Sequence, residues 1–294
     1  MLTKLTHRAR RALAACALAL TALAAPAAAA PALWAIKDHD STIYILGSIH
    51  ILRPGTEWRS PKIDKAFAAS QDLVLEVVGA DDVAAMQAIL PKYGIDLTTK
   101  LSTRLEPVDR ERLAAAVAAT GTPPQAVEVM RPWLASMSLS TLPLVKAGFD
   151  PKAGVELSLT AQAKAAGKPI SGLETLEQQI RFLADLPPAV ELAMLKATLE
   201  DFDKSVPMTE QMLAAWLAAD QERLAAVFLT EGGLDDPAVY EAMLARRNRD
   251  WAGQLKAKLA GSGTSFVTVG AGHLVGPDSL QVELAKLGVT AERQ

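Results

Sequence analysis

The run Leu73-Val74-Leu75-Glu76-Val77-Val78 constrains this chain most, because it is apolar throughout except for one glutamate. A strand with water on one face alternates apolar and polar residues, whereas an unbroken apolar run suits a strand covered on both faces. The long alanine- and leucine-rich stretches on either side supply the covering helices. The sequence therefore predicts an α/β fold: a central mixed, largely parallel sheet with large helical insertions.

Other strand candidates fit this plan. Leu33-Trp34-Ala35-Ile36 and Ile43-Tyr44-Ile45-Leu46 flank the turn-forming Lys37 to Thr42 and read as a hairpin. Lys168 to Leu173 and Ser265-Phe266-Val267-Thr268-Val269 follow, and Val289-Thr290 reads as a last edge strand. Helices are expected over 61–70, 107–120, 132–147, 154–166 and 174–185. A helical block over 187–260 is expected to break near Pro207 and Gly232-Gly233, and a final helix over 277–287 to close on Gly288. Residues 31–294 form one domain in this reading, with helical insertions at about 80–167 and 187–260.

The first thirty residues stand apart. Lys4, Arg8, Arg10 and Arg11 precede an apolar run from Ala12 to Ala25 and then an alanine-rich stretch to Ala30. This is the pattern of a secretory signal peptide cleaved after residue 27 to 30, which predicts a periplasmic or secreted protein. Leu13-Ala14-Ala15-Cys16 locally resembles a lipoprotein box, but cleavage there would leave most of the apolar run behind the cut bond. Cys16 is the single cysteine, so the mature chain would have none and its stability must come from a packed core. Losing four of the 30 basic residues and none of the 33 acidic ones leaves a formal charge of −7. That balance argues against nucleic acid or an anionic membrane as the main partner. No later stretch is long and apolar enough for a stable membrane span.

Four side chains suited to metal or proton chemistry fall at or just beyond the carboxyl ends of four expected strands: His50, Glu76, Glu174 and His273. In open α/β sheets that edge is where ligands bind. The two histidines share a spacing, in Gly47-Ser48-Ile49-His50 and Gly270-Ala271-Gly272-His273, and each glycine is expected to let the backbone turn sharply. Imidazole and carboxylate donors form an N/O set suited to zinc, manganese, cobalt or iron, and without cysteine no thiolate site is available. Such a set leaves room for a water that the metal activates while a carboxylate acts as base. A buried Glu76 needs a partner, and Arg247 is a candidate. Glu174 has a structural alternative at the start of a helix, where a carboxylate meets the positive end of the dipole. His39, between Asp38 and Asp40, reads as a solvated turn residue. There is no His-Glu-x-x-His, no Gly-x-Ser-x-Gly and no phosphate loop. Gly270 to Gly276 lacks the spacing and the following chain of a dinucleotide-binding unit.

With these residues in view, the sequence resembles the TraB/GumN family, which includes the Tiki Wnt-inactivating proteases. The likeness rests on Leu33-Trp34 to Leu52, Leu73 to Val77, Arg131-Pro132-Trp133 and Gly154-Val155-Glu156. It continues in Gly167-Lys168-Pro169 to Thr175 with Glu177-Gln178-Gln179, in Arg247-Asn248, and in Phe266 to Gly276. The resemblance implies a core similar to that of erythromycin-esterase-like and ChaN-like proteins, and a metal-dependent protease or hydrolase activity. It points to His50, Glu76 and His273 as central, with Arg247 and Asn248 as orienting groups. Glu156 stands where aspartate is commoner in the family. The leading expectation is an exported hydrolase acting on a peptide or small molecule with a divalent ion (manganese, cobalt or zinc). The alternatives are a periplasmic binding protein for a peptide, signal or haem-like ligand, and an esterase-type enzyme working without metal.

Overall fold

The computed structural model describes residues 30–80, 82–231 and 236–294. Nearly all of the expected signal peptide, and the break at Gly232-Gly233, lie outside them. A six-stranded sheet runs in the order β4-β3-β5-β2-β1-β6. Its strands are β1 (Leu33–Lys37), β2 (Ser41–Ser48), β3 (Asp72–Val77), β4 (Ile170–Glu174), β5 (Gly263–Gly270) and β6 (Glu292–Arg293). The four strands from β4 to β2 are mutually parallel, while β1 pairs antiparallel with both β2 and β6. The sheet is thus mixed and mostly parallel, as expected.

The two-sided burial of β3 is borne out, and the period of two sorts its residues. Leu73 and Leu75 pack on one face with Phe266, Ile63, Phe67, Val155 and Leu159. Val74 packs on the other with Val267, Val269, Trp251, Leu255 and Leu284. Each large side chain buried in this way contributes about 1.5–3 kcal/mol. Alternation puts Glu76 on the Val74 face, the one covered by the helix Arg246–Leu259.

The helical insertions are large. Helices from Val83 to Ala165 separate β3 from β4, and those from Leu176 to Leu259 separate β4 from β5. They pack on each other through Leu101, Leu113, Leu139 and Leu195, and through Trp133, Leu183 and Val239. Among the described residues no helix is long and apolar enough to cross a membrane.

Three local expectations are corrected. Val289-Thr290 is not a strand, because the chain folds back after Leu280–Lys286. Gly288 adopts φ +81° and the Val289 amide closes onto the Leu284 carbonyl at 2.9 Å. The edge strand comes later as β6, and the Gln294 amide donates to Leu33 O at 2.9 Å. Pro207 breaks nothing, since it is the third residue of the helix Ser205–Leu217, where its missing N–H has no intrahelical partner to lose. The interruption falls earlier, at the 3-10 turn Phe202–Lys204. Glu174 does not open a helix either. It ends β4, and Thr175 caps the helix Leu176–Ala184 in a capping box with Gln178.

Candidate functional site

Parallel register explains why distant residues meet. Ser48 pairs with Gly270 and Val77 with Glu174, so the carboxyl ends of β2, β5, β3 and β4 form one edge. His50 lies two residues past β2, and His273 lies in the 3-10 turn Ala271–Leu274 just past β5.

Neither Gly47 nor Gly270 has a positive φ, so the expectation of a sharp glycine turn gives way to one of close approach. A β-carbon on Gly270 would lie 3.2 Å from Glu76 Oε1 and 3.6 Å from both His50 Nε2 and His273 Cδ2. The bare backbone there keeps open the space between the three side chains.

Arg247 is the centre of the site. Its Nε and Nη2 hold Glu174 Oε1 and Oε2, each at 2.9 Å. Nη2 also reaches Glu76 Oε2 at 2.8 Å, and Nη1 reaches Met243 O and His273 Nε2, each at 3.1 Å. All five guanidinium donors therefore have acceptors. The group lies 5.2 Å from the ring centre of Phe182 and 4.6 Å from that of Trp251. The Arg247, Glu76 and Glu174 side chains are 4%, 7% and 7% exposed. The π-helical turn Glu241–Ala245, which directly precedes this helix, contributes the Met243 carbonyl.

The remaining groups fix the site further. Glu76 Oε1 accepts from the Gly270 amide at 2.5 Å, and Oε2 from Gln179 Nε2 at 3.2 Å. His273 Nδ1 meets Asn248 Oδ1 at 2.7 Å, while Asn248 Nδ2 donates to Asp278 O at 2.7 Å. That donation fixes the amide orientation. Asn248 Oδ1 must then accept the Nδ1 proton, so His273 Nε2 carries the lone pair. The Trp251 ring centre lies 4.4 Å from that of His273. On the exposed side of the cluster, His50 Nδ1 sits 2.6 Å from Glu156 Oε1, a carboxylate that also accepts from the Ser48 hydroxyl.

Charge follows geometry. Burial is the main influence on His273, lowering it to about 3, with Arg247 and His50 pushing the same way against Glu76. Burial alone would raise Glu76, but His273, Arg247, His50 and the Gly270 amide together bring it down to about 2. Burial raises Glu174 against the pull of Arg247. The Glu156 carboxylate beside it lifts His50 to about 9. His50 remains the most open of these groups, its side chain 66% exposed.

All the expected site residues thus cluster at one edge of the sheet, but in unequal roles. His50, Glu76 and His273 surround Gly270. The Glu174 oxygens are both taken by Arg247, which leaves this carboxylate poorly placed as a ligand. The donor types at His50, Glu76 and His273 suit a divalent ion, but their ligand atoms do not all lie within 4.8 Å of one another. Each histidine has its Nδ1 tied to an oxygen, the outer arrangement typical of metal-binding imidazoles. Arg247 stands against it, because its Nη1 occupies the His273 lone pair. Among the described residues, only Asp38, His39 and Asp40 have three potential ligand atoms within 4.8 Å of one another. They are exposed in the β1–β2 turn, where His39 was expected to be solvated. Sequence reasoning gave no part to Phe182, named Gln179 only within the family likeness, and left Glu156 without a role. Their partners lie about a hundred residues away or belong to aromatic packing, and neither leaves a local pattern.

The family model described as TraB/PrgY/gumN matches residues 32–293, nearly all of the chain. The chain belongs to the TraB/PrgY/gumN family. Among its relatives, "Uncharacterized protein YbaP" of Escherichia coli (strain K12) is 26% identical over 240 residues, 81% of this chain and 85% of that protein. An "Uncharacterized protein" of Treponema pallidum (strain Nichols) is 23% identical over 263 residues, 84% of this chain and 78% of its own length. No solved structure gives a significant match. As a TraB/PrgY/gumN protein, the chain carries its polar cluster on strand ends and insertion helices that all lie within the matched region.

Proposed function

We propose that this crevice is the hydrolytic centre of an exported enzyme that cleaves a peptide or a related small substrate with the help of a divalent ion. One observation carries the reading. Two imidazoles from opposite ends of the chain are each locked through Nδ1, and with Glu76 they surround the space at Gly270. His50, Glu76 and His273 are the residues that would hold the ion. When bound, it would lower the pKa of a coordinated water and polarise a substrate carbonyl. Glu156 and Asn248 hold the two rings in place. Gln179, the Gly270 amide and Arg247 hold the Glu76 carboxylate ionised and immobile. His50, being exposed, meets the substrate first. The leader-like first thirty residues support export.

The contact between Arg247 Nη1 and the His273 lone pair supports a second reading, hydrolysis without metal. In that case water attacks the scissile carbonyl and gives its proton to Glu76, while His50, protonated at neutral pH beside Glu156, donates a proton to the leaving group.

The test is to purify the mature chain, measure its metal content, and assay peptide and ester hydrolysis with and without a chelator. The first reading expects stoichiometric metal and turnover, both lost in His50→Ala and His273→Ala. Turnover that survives exhaustive chelation selects the second. Turnover unchanged in both variants sinks the site itself.

A further inference from the structure

Arg247 holds the position that a bound cation would be expected to hold, between two buried carboxylates and an imidazole lone pair. Its five N–H groups are all accepted, it lies close to two aromatic rings, and it is shielded from water. A guanidinium so placed supplies the positive charge that Glu76 and Glu174 require once buried. It also occupies His273 Nε2, the atom a divalent ion at His50, Glu76 and His273 would need. Two cations cannot use the same lone pair. With Arg247 removed, two buried carboxylates remain without a counter-charge, and together they match a doubly charged ion.

We propose that Arg247 is an internal counter-cation that competes with the divalent ion for the site, so that the ion enters by exchange against the Arg247–His273 hydrogen bond. This rests on the reading of the crevice as an ion-assisted hydrolytic centre. The protein is then fully assembled in the ion-free state, and its ion affinity is set by how readily the guanidinium yields. The simpler view makes Arg247 an orienting group that helps build the ion site, and it predicts the opposite response to substitution.

Isothermal titration of manganese into the chelator-stripped mature protein distinguishes these views, run on wild type, Arg247→Met and Arg247→Lys, with the melting temperature as a second readout. The proposal expects Arg247→Met to bind manganese at least tenfold more tightly than wild type. Its melting temperature should fall in chelator and recover more with manganese than that of wild type. If Arg247→Met does not fold without the ion, Arg247→Lys serves in its place. It keeps one charge but loses the planar fork, and it should still bind more tightly than wild type. The gain must vanish when His273→Ala is added, which ties the ion to this site. Manganese binding as tight in wild type as in both variants would overturn the exchange and leave the hydrolytic reading standing. Absence of binding in all three proteins would overturn the exchange together with the metal-assisted reading.

Discussion

At the scale of single residues, the site consists of charges that satisfy one another out of water, so its stability depends on pH in a legible way. In ion-free protein, His273 titrates near 3 against an ordinary 6.5. The unfolded chain takes up a proton below about 6.5 that the folded chain refuses. The contribution of neutral His273 is therefore complete above pH 6.5 and is lost as pH falls toward 3. Glu76, near 2 against an ordinary 4.5, acts in the same sense: its contribution is present above 4.5 and lost as pH falls through 2. His50, raised to about 9, acts in the opposite sense, with a contribution complete below 6.5 and lost as pH rises through 9. Urea midpoints measured in chelator should accordingly be highest near neutrality and decline from pH 6.5 toward 4. The His273→Gln variant should be less stable at pH 7 but flatter over that acid range. An equally steep acid decline in the variant would refute the assignment of His273 as a buried neutral imidazole. Much of this cluster was legible beforehand. A glutamate inside an apolar run requires a partner, and Arg247 was already a candidate. Glu174 was harder to read, because a carboxylate just after a strand looks the same whether it caps a helix or meets an arginine 73 residues away.

At the scale of elements, the first insertion and the end of β2 are built against each other. Glu156 lies in the first turn of the helix Val155–Ala165, and the Val155 amide donates to Ile49 O at 3.2 Å. Gly154 comes so near that a β-carbon there would stand 2.3 Å from His50 O and 2.9 Å from the carbonyl carbon. Both atoms belong to backbone and cannot step aside. Gly154→Ala should therefore push the helix start away from His50, at a cost of about 1–3 kcal/mol, the usual range for overpacking. A urea titration measures that cost. Because Glu156 moves with the helix, the same variant should lose most of whatever turnover depends on His50. A variant of wild-type stability and activity would show that the approach is not tight. This docking could not be read from the sequence, where Gly154-Val155-Glu156 was only part of a family likeness. Strands such as β3 and β5 were easier than caps and bends, since burial on two faces marks successive residues along them. The fold-back at Gly288, by contrast, depends on a single glycine.

At the scale of the whole molecule, the sheet was legible because three of its four parallel strands, β2, β3 and β5, are continuous β-type runs, while β4 is a weaker one, and because parallel strands need long crossovers, which the insertions supply. What stayed hidden was how the two insertions meet, since contacts among Leu139, Leu195, Trp133 and Val239 follow no local period. The leader-like segment makes a prediction of its own. Expressed in a bacterium with its first thirty residues, the chain should be recovered from the periplasm beginning between residues 28 and 31, as intact mass would record. Retention of Met1 in the exported fraction, or purely cytoplasmic recovery, would refute export by a cleaved signal.

The pairing of β1 with β6 bears on how the molecule can be handled. Leu33 lies beside Leu46 near the carboxyl end of β2, and the last residue is bonded to it. The first strand therefore begins, and the last strand ends, at the sheet edge that carries the polar cluster, two and three strand spacings from β5, or about 10 and about 14 Å. A tag or carrier fused to the last residue, or just ahead of β1, begins its path at the same edge as that cluster. For the same reason a short linker could join the end of β6 to the start of β1, and the chain could be reopened at a distant surface loop, leaving the cluster clear of both termini.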